Sequence, residues 1–561
     1  MAHLSSSTAS PESGGSSRIQ RLISNSTIMV QSLGKATNIG IPQILAHRSE
    51  DDLLSRRTRI VCTMGPSCSD IETLTKMVEA GMNVCRLNFS HGNHQSHGAV
   101  VRNIIEVQKR FPNKRLAIML DTKGPEIRTG FLKNHGTINL QAGQRLKITT
   151  DYDFLGDSEC ISCSYKALPQ SVQKGNTILI ADGLLGAEVL ECGDDYINVM
   201  VKNSCILGER KNMNLPNVKV QLPCVGEKDA DDILNFGIPM GCNFVAASFV
   251  QSAEDVRFIR NLLGPKGRHI KIIPKIENME GLLNFNEILA EADGIMVARG
   301  DLGMEIPAEK VFLAQKMMIA KCNVSGKPVI TATQMLESMT KNPRSTRAEA
   351  ADVANAVLDG TDCVMLSGET ASGLFPVEAV SVMAKICLEA EACIDYSQLY
   401  TAMVKAIPTP ISTQEAVARA AVETAESINA ALILALTETG YTAHLIAKYR
   451  PQQWIFALSA SEYTVRNLVL HRGIFSFQVQ LLLPTDRLLF FYSSSILYST
   501  AFFITSLKVP SFQGTDHVIR NALEAAKALQ LVVPGDSVVA VHGIKEEIAG
   551  SSNLLKVVVV T

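Results

Sequence analysis

The sequence predicts an α/β protein: a (β/α)8, or TIM, barrel with an inserted all-β lid domain and a C-terminal α/β regulatory domain. Three observations predict it. Short apolar runs alternate with helical patterns through eight units between Thr58 and Leu366, as parallel strands covered by helices require. The alternation stops after Gly124 and resumes at Gly226, and the residues between show only short alternating stretches broken by Gly, Asn and Asp. Polar residues also collect at one end of the units: Arg86, Asn88 and Ser90 after the second run, Asp121 after the third, Lys275 and Glu277 after the fifth, Asp301 after the sixth and Thr333 after the seventh. In a closed barrel those are the carboxyl ends, where sites are built.

At 561 residues the chain exceeds one ordinary domain. Residues 1–17 are rich in Ser, Gly and Pro and are expected to be disordered, and short helices are expected over 18–55. Arg18 and Arg21 leave organelle targeting open, while Glu12 and the lack of an apolar stretch argue against a secretory signal. The first barrel part spans 56–124, with strands at 59–63, 83–87 and 116–120, a helix capped by Asp70 that runs to Ala80, and a second helix ending at Arg110. Residues 125–223 form the lid. The second barrel part spans 224–395, with strands at 244–249, 270–275, 294–298, 328–331 and 363–366, and Pro307 suits the first turn of a helix. Residues 396–561 form another α/β unit at the C-terminus, with helices at 414–428 and 518–529 and strands at 432–437, 454–459, 537–543 and 555–560.

Within that domain, residues 479–508 are anomalous. Residues 488–507 carry no charge and are long enough to be a transmembrane candidate. Their Ser and Thr content, their place between two strands and the lack of a second span argue against a membrane crossing. A loosely packed insertion, or translated non-coding sequence such as an unspliced intron between Gln478 and Val509, is expected instead.

Lys+Arg 53 against Asp+Glu 55, with no long basic run, argues against nucleic acid as the main partner. The 13 scattered cysteines suit a reducing compartment, so a cytoplasmic location is expected. Cys160 and Cys163 form a C-x-x-C with no second pair at a zinc-ribbon interval, and the spacing reads as chance.

Lys275, Glu277 and Asp301 place two carboxylates and a lysine at the ends of neighbouring strands, with Gly300 between Arg299 and Asp301. That set can hold a hard divalent cation beside an anionic substrate. Surface salt bridges would not choose one end of a barrel so consistently.

The motifs TRIVCTMGPSC, GMNVCRLNFSHG, LDTKGPEIRTG, NLPNVKVQLP, EKDADDI, KIIPKIENMEG, GIMVARGDLGMEI, KPVITATQMLESM, PRSTRAEAADVANAVLDGTDCVMLSGETASG and VPSFQGTDHVIRNAL resemble the pyruvate kinase family over residues 56–561. The resemblance implies transfer of the phosphoryl group of phosphoenolpyruvate to ADP, giving pyruvate and ATP, with Mg2+ (or Mn2+) and K+. It assigns Glu277 and Asp301 to Mg2+, Lys275 to the phosphoryl group in flight, and Arg86 to the substrate phosphate. The amides of Gly300 and Asp301 would hold the substrate carboxylate, and Thr333 would complete that cradle. Asn88, Ser90, Asp121 and the carbonyl of Thr122 match the K+ ligands, and Glu126 is the residue type of K+-dependent members. Asn88, His91, Arg128 and Lys211 fall on the nucleotide side, with Asn212 stiffening a loop where relatives usually carry Gly. His91, His94 and His97 read as substrate-side and capping residues, not a metal site, and Arg299 as a structural or subunit-contact residue.

For the C-terminal domain the resemblance implies a sugar-phosphate effector held by Thr437, Thr439 and Thr442 of the TETGYT loop, and a homotetramer. Glu438 stands where activatable relatives often carry Lys, so a weak response to fructose 1,6-bisphosphate is expected, with a hexose monophosphate allowed. The alternatives are a Mg2+-dependent aldolase using phosphoenolpyruvate or pyruvate on the same barrel, a non-catalytic paralogue and, last, a membrane-anchored protein.

Overall fold

A closed sheet of eight parallel strands lies at the centre of the computed structural model, which describes residues 56–479, 512–543 and 552–561. The expectations for residues 1–55 and for the anomalous stretch beyond Val479, including the 488–507 run, lie outside the described residues. The barrel strands are β1 (Arg59–Thr63), β2 (Val84–Asn88), β3 (Ala117–Asp121), β4 (Phe244–Ala247), β5 (Lys271–Ile276), β6 (Ile295–Ala298), β7 (Val329–Ala332) and β8 (Cys363–Leu366). They close in the order β1-β8-β7-β6-β5-β4-β3-β2.

Parallel strands are covered on both faces, which is why they read as continuous apolar runs. Alternate residues split between two layers. Val61, Val84, Met119, Phe244, Ile273 and Met296 fill the barrel interior. Their neighbours Ile60, Cys62, Cys85, Leu87, Ile118 and Val245 pack outward against the helices. Several strands end one residue later than the apolar runs predict. Asn88 and Asp121 stay in the ladder as register partners, although an apolar-run criterion stops before them. Conversely, β4 ends at Ala247 and not at 249, because Phe249 turns into the left-handed region at φ 54°.

Asp70 caps α1 (Ile71–Ala80), its side chain accepting from the Thr73 amide, and Gly81 ends the helix at φ 119°. Asn93 and Ser96 cap α2 (His94–Arg110) reciprocally. A short α3 (Glu227–Asp231) follows the lid and widens directly into a π-helical turn, Asp232–Gly237. Beyond β6 come α4 (Arg299–Glu305) and α5 (Ala308–Ser325), and α6 (Arg347–Asp359) precedes β8. Pro307 stands just before α5 and not inside its first turn.

Between β3 and β4 the chain builds a six-stranded sheet and a two-stranded ribbon around Leu146, Ile148, Val189, Ile197 and Val199, with one short helix at Leu168–Ser171. The C-terminal unit is a five-stranded sheet ordered Ile474–Gln478, Trp454–Ser459, Leu432–Leu436, Ser537–Gly543, Ser552–Val559. Only the last strand runs antiparallel. The edge strand Ile474–Gln478 has no counterpart among the sequence expectations, because its half-buried IFSFQ pattern lacks a continuous apolar run. Helix α7 (Tyr441–Lys448) belongs to this unit. The unit docks on the barrel through Arg450, whose two terminal nitrogens contact both oxygens of Asp362 at 2.8 and 3.0 Å just before β8. Among the described residues no helix is long and apolar enough to cross a membrane.

Candidate active site

At the carboxyl end of the barrel, charges meet in a dry volume. Strand periodicity puts Lys275 and Glu277 on one face. The Lys275 ammonium lies 2.9 Å from Glu277 Oε1 and 3.3 Å from Asp121 Oδ1, and it donates to Ser248 Oγ at 2.9 Å. Arg86 Nε reaches Asp121 Oδ2 at 2.6 Å, and another of its nitrogens donates to Thr63 Oγ1 at 2.9 Å. Exposure falls from 8% for Lys275 to 0% for Glu277, so two cations and two anions share a site from which water is largely excluded. Charges buried this way persist only when paired.

The pairing governs their protonation. Burial alone would raise the Asp121 carboxyl, but Arg86 and Lys275 outweigh it and the net shift is downward. Burial alone would lower the Lys275 ammonium, but Asp121 and Glu277 outweigh it and the net shift is upward. Glu277 goes the other way. Burial and the neighbouring Asp301 carboxylate push it up against the pull of Lys275. Its Oε2 accepts from the Phe249 amide at 2.6 Å, while its buried Oε1 has no aligned hydrogen bond. Two neighbouring carboxylates, one of them fully buried with a single ammonium on its Oε1, form the kind of oxygen set a hard divalent cation takes, so the residues present fit one.

Gly300 opens α4 against Thr333, where an added Cβ would come within 2.6 Å of Thr333 Cγ2. Thr333 and Gln334 both hold positive φ, 75° and 54°. Such residues need support from their surroundings, and Arg299 supplies it. Its guanidinium donates to the carbonyls of Ala332 (3.1 Å) and Thr333 (2.7 Å) and pairs with Asp352 at 2.7 Å. Arg299 therefore acts within the chain to fix the end of β7, apart from the acidic pair.

The oxygen donors Asn88, Ser90, Asp121 and Thr122 come together across the β2–β3 edge. Asn88 and Asp121 are register partners, the Ser90 amide donates to Asn88 Oδ1 at 3.1 Å, and the Thr122 carbonyl accepts from Ser248 Oγ at 2.6 Å. This all-oxygen set fits a hard monovalent cation. His91 follows in an exposed loop, and its carbonyl is bonded by His97 Nε2 at 2.8 Å. His97 is buried against the Phe89 ring.

On the lid, Arg128 is forked onto Glu126 at 2.8 and 2.7 Å and donates to the Arg210 carbonyl at 2.7 Å. Lys211 is exposed, its backbone tied to Thr129 on both sides. Asn212, Asn214, Phe249, Asp301 and Glu305 line one cleft of about 300 Å3 between lid and barrel. Thr437, Thr439 and Thr442 are not brought to this site. They belong to the loop and first turn of α7, where Thr437 Oγ1 accepts from the Gly440 amide at 3.0 Å.

Three neighbours escaped the sequence reading. Ser248 links Lys275 to Thr122, Thr63 supports Arg86, and buried Glu369 accepts from the Leu336 amide at 3.0 Å behind β7. All follow or end barrel strands, so the rule that selected the others covers them. As hydroxyls, or as a carboxylate two residues past a serine, they carried no sharper signal.

The pyruvate kinase barrel-domain family model matches residues 55–380, and the pyruvate kinase alpha/beta-domain model matches residues 415–558. A pyruvate kinase of Eimeria tenella is 66% identical over 552 residues, covering 98% of this chain and 98% of the relative. A cytosolic isozyme of Glycine max is 47% identical over 525 residues, covering 93% of this chain and 99% of the relative. A crystal structure of a Cryptosporidium parvum pyruvate kinase superposes with a TM-score of 0.84 at 50% identity, covering 93% of this chain and 100% of that one. The Cryptosporidium parvum pyruvate kinase in complex with ADP gives 0.76 at 52% identity, covering 90% and 96%. An aldolase or a non-catalytic paralogue finds no support among these relatives. The barrel, its inserted β-structure, the charged carboxyl-end cluster and these matches together show that the chain belongs to the pyruvate kinase family of phosphotransferases.

Proposed function

We infer that the carboxyl-end site transfers the phosphoryl group of phosphoenolpyruvate to ADP, yielding pyruvate and ATP in the last step of glycolysis. The observation that carries the assignment is Lys275, held charged between Asp121 and Glu277. Phosphoryl transfer needs neutralisation and in-line placement more than covalent help. As the bond from phosphorus to the enol oxygen breaks and the bond to the ADP β-phosphate oxygen forms, Lys275 neutralises the phosphoryl oxygens. Arg86 binds the same phosphate through its guanidinium. The Gly300 and Asp301 amides hold the substrate carboxylate, with Thr333 closing the cradle around the enolate until its carbon takes a proton.

Pyruvate kinases generally use Mg2+ and K+. Here Glu277 and Asp301 would hold Mg2+ or Mn2+, which supplies Lewis-acid neutralisation when bound. Asn88, Ser90, Asp121 and the Thr122 carbonyl would hold K+, and Glu126 suits K+ dependence. Asn88, His91, Arg128 and Lys211 would face the nucleotide, and the Cryptosporidium parvum relative is itself solved in complex with ADP. The residue divisions 56–124, 125–223, 224–395 and 396–561 separate barrel, lid, barrel and effector domain. Thr437, Thr439 and Thr442 would take an effector phosphate, with Glu438 disfavouring a second one. A homotetramer in the cytoplasm completes the reading.

The test is a coupled assay for pyruvate and ATP from phosphoenolpyruvate and ADP, with and without K+, beside Mn2+ binding followed by electron paramagnetic resonance. Lys275→Met should lose about 100-fold or more in kcat while still binding Mn2+. Glu277→Gln should lose Mn2+ binding as well. Full activity of Lys275→Met would overturn the assignment, and full activity of the unaltered chain without K+ would overturn the cation role.

A further inference from the structure

Among the described residues one cluster has metal-like geometry: His94, Asp231 and Asp232. It is already filled by protein. Lys228 Nζ lies 2.6 Å from Asp232 Oδ2, and His94 Nε2 lies 2.8 Å from Asp232 Oδ1. Asp232 is 2% exposed, so this pairing compensates a buried charge.

The ammonium has a second partner. It donates to the Phe89 carbonyl at 3.1 Å and lies 5.5 Å from the centre of the Phe89 ring. Phe89 stands between Asn88 and Ser90, two of the oxygen donors assigned to K+. The rest of that loop is pinned as well. The Phe89 amide donates to the Asp121 carbonyl at 3.0 Å, and His97 stacks on the Phe89 ring at 4.4 Å while bonding the His91 carbonyl.

The adjoining side chain on the same helical turn performs the matching task on the β3 loop. Asp229, 3% exposed, accepts from the amides of Lys123 (2.9 Å) and Gly124 (3.2 Å), directly after Thr122. One turn of α3 thus grips both loops that carry the oxygen donors. Lys228 and Asp232 pair at i,i+4 spacing, and the chain widens into the π-turn directly from Asp232, as π-turns do at functional sites.

We propose that Lys228 and Asp229, with Lys228 anchored by Asp232 and His94, are positioning residues that preorganise the monovalent-cation site. A weakly held ion releases little free energy with which to order its own ligands, so loops that arrive ordered bind it better. The inference rests on the K+ reading of Asn88, Ser90, Asp121 and Thr122. It gives the EKDADDI motif a task that neither touches substrate nor holds metal.

The test uses the full chain and two variants, Lys228→Met and Lys228→Arg. Three quantities are read: K+ half-activation, kcat at saturating K+, and the K+-induced shift of the melting temperature without substrate. Lys228→Met should raise half-activation about tenfold, as outer-sphere changes do, and should lose most of the K+-induced shift. Its kcat at saturating K+ should stay within about twofold, a split that a merely structural defect would not produce. Lys228→Arg, which keeps a cationic donor, should recover most of both. If Lys228→Met does not fold, Asp229→Asn takes its place with the same expectation. A variant with unchanged half-activation and an unchanged thermal shift overturns the proposal, as does a kcat that falls equally at every K+ concentration. If the unaltered chain shows no K+ response in either measurement, the cation reading itself fails, and that outcome is separate from failure of the clamp.

Discussion

Gly300 is specified by a single contact. A methyl group there would meet Thr333 Cγ2 at 2.6 Å, so Gly300→Ala must turn the Thr333 side chain or displace the start of α4 or the end of β7. Misplacement of about 1 Å costs about 100-fold in rate, and steady-state kinetics should show kcat/KM for phosphoenolpyruvate falling by that order. A variant within about threefold of the parent would show that the close approach is not used. Which charges lie at the site was readable in the sequence, because Lys275, Glu277 and Asp121 end or follow apolar runs. Their partners were not. Asp121 takes Arg86 from 35 positions away, and only the closed barrel selects that pair. Ser248 and Thr63 were missed because a hydroxyl at a strand end looks the same whether it serves a site or a turn.

At the level of elements, the lid carries a braced turn. The turn Ala181–Asp182–Gly183 holds three consecutive positive φ values, 54°, 53° and 81°. Asn212 supports it from the facing strand. Its Nδ2 donates to Asp182 Oδ1 at 2.8 Å, its Oδ1 accepts the Asp182 amide at 3.1 Å, and its carbonyl accepts the Ala181 amide at 3.0 Å. The expected stiffening by Asn212 thus has a mechanism: a side-chain brace beside Lys211, not simply a lost glycine. Asn212→Gly removes both side-chain bonds, and one net hydrogen bond of about 1 kcal/mol corresponds to about fivefold. The KM for ADP should rise by about that factor, that for phosphoenolpyruvate should hold, and proteolysis at the turn should quicken. An unchanged KM for ADP would separate the brace from nucleotide binding. Most elements with a clear period were legible to within a residue or two, but the helix expected at 518–529 begins at Phe512 and the strand expected at 555–560 begins at Ser552. The edge strand Ile474–Gln478 was not legible, since burial on one face leaves too short a pattern.

Across the whole molecule, the barrel and the C-terminal unit meet over stacked His444 and His471, with ring centres 5.8 Å apart. Burial lowers both, to about 3 and about 4. For His444 the neighbouring His471, Lys271, Lys448 and Lys327 add to the lowering; for His471, Lys271 and Arg450 add to it while Asp362 opposes. In the unfolded chain these imidazoles protonate near pH 6.5. Below that pH the unfolded state therefore binds more protons than the folded one, and stability falls as pH drops from about 6.5 toward about 4. Urea midpoints measured across that window should decline less for His471→Gln than for the unaltered chain. Equal slopes would remove these imidazoles from the interface's acid response. The order of barrel, insertion, barrel and α/β unit was legible because its periods differ. The docking through Arg450 and Asp362 was not, because a buried ion pair between distant segments leaves no local signature.

Asp121 has one further consequence, in the exchange of counter-ions. Without substrate, Arg86 and Lys275 both lean on its carboxylate. A phosphate that draws those two cations toward itself leaves Asp121 short of positive charge, and a monovalent cation at the same carboxylate would make up the difference. K+ would then take the place of those two cations at Asp121 while the substrate phosphate holds them. Each must raise the affinity for the other by the same factor, whichever arrives first.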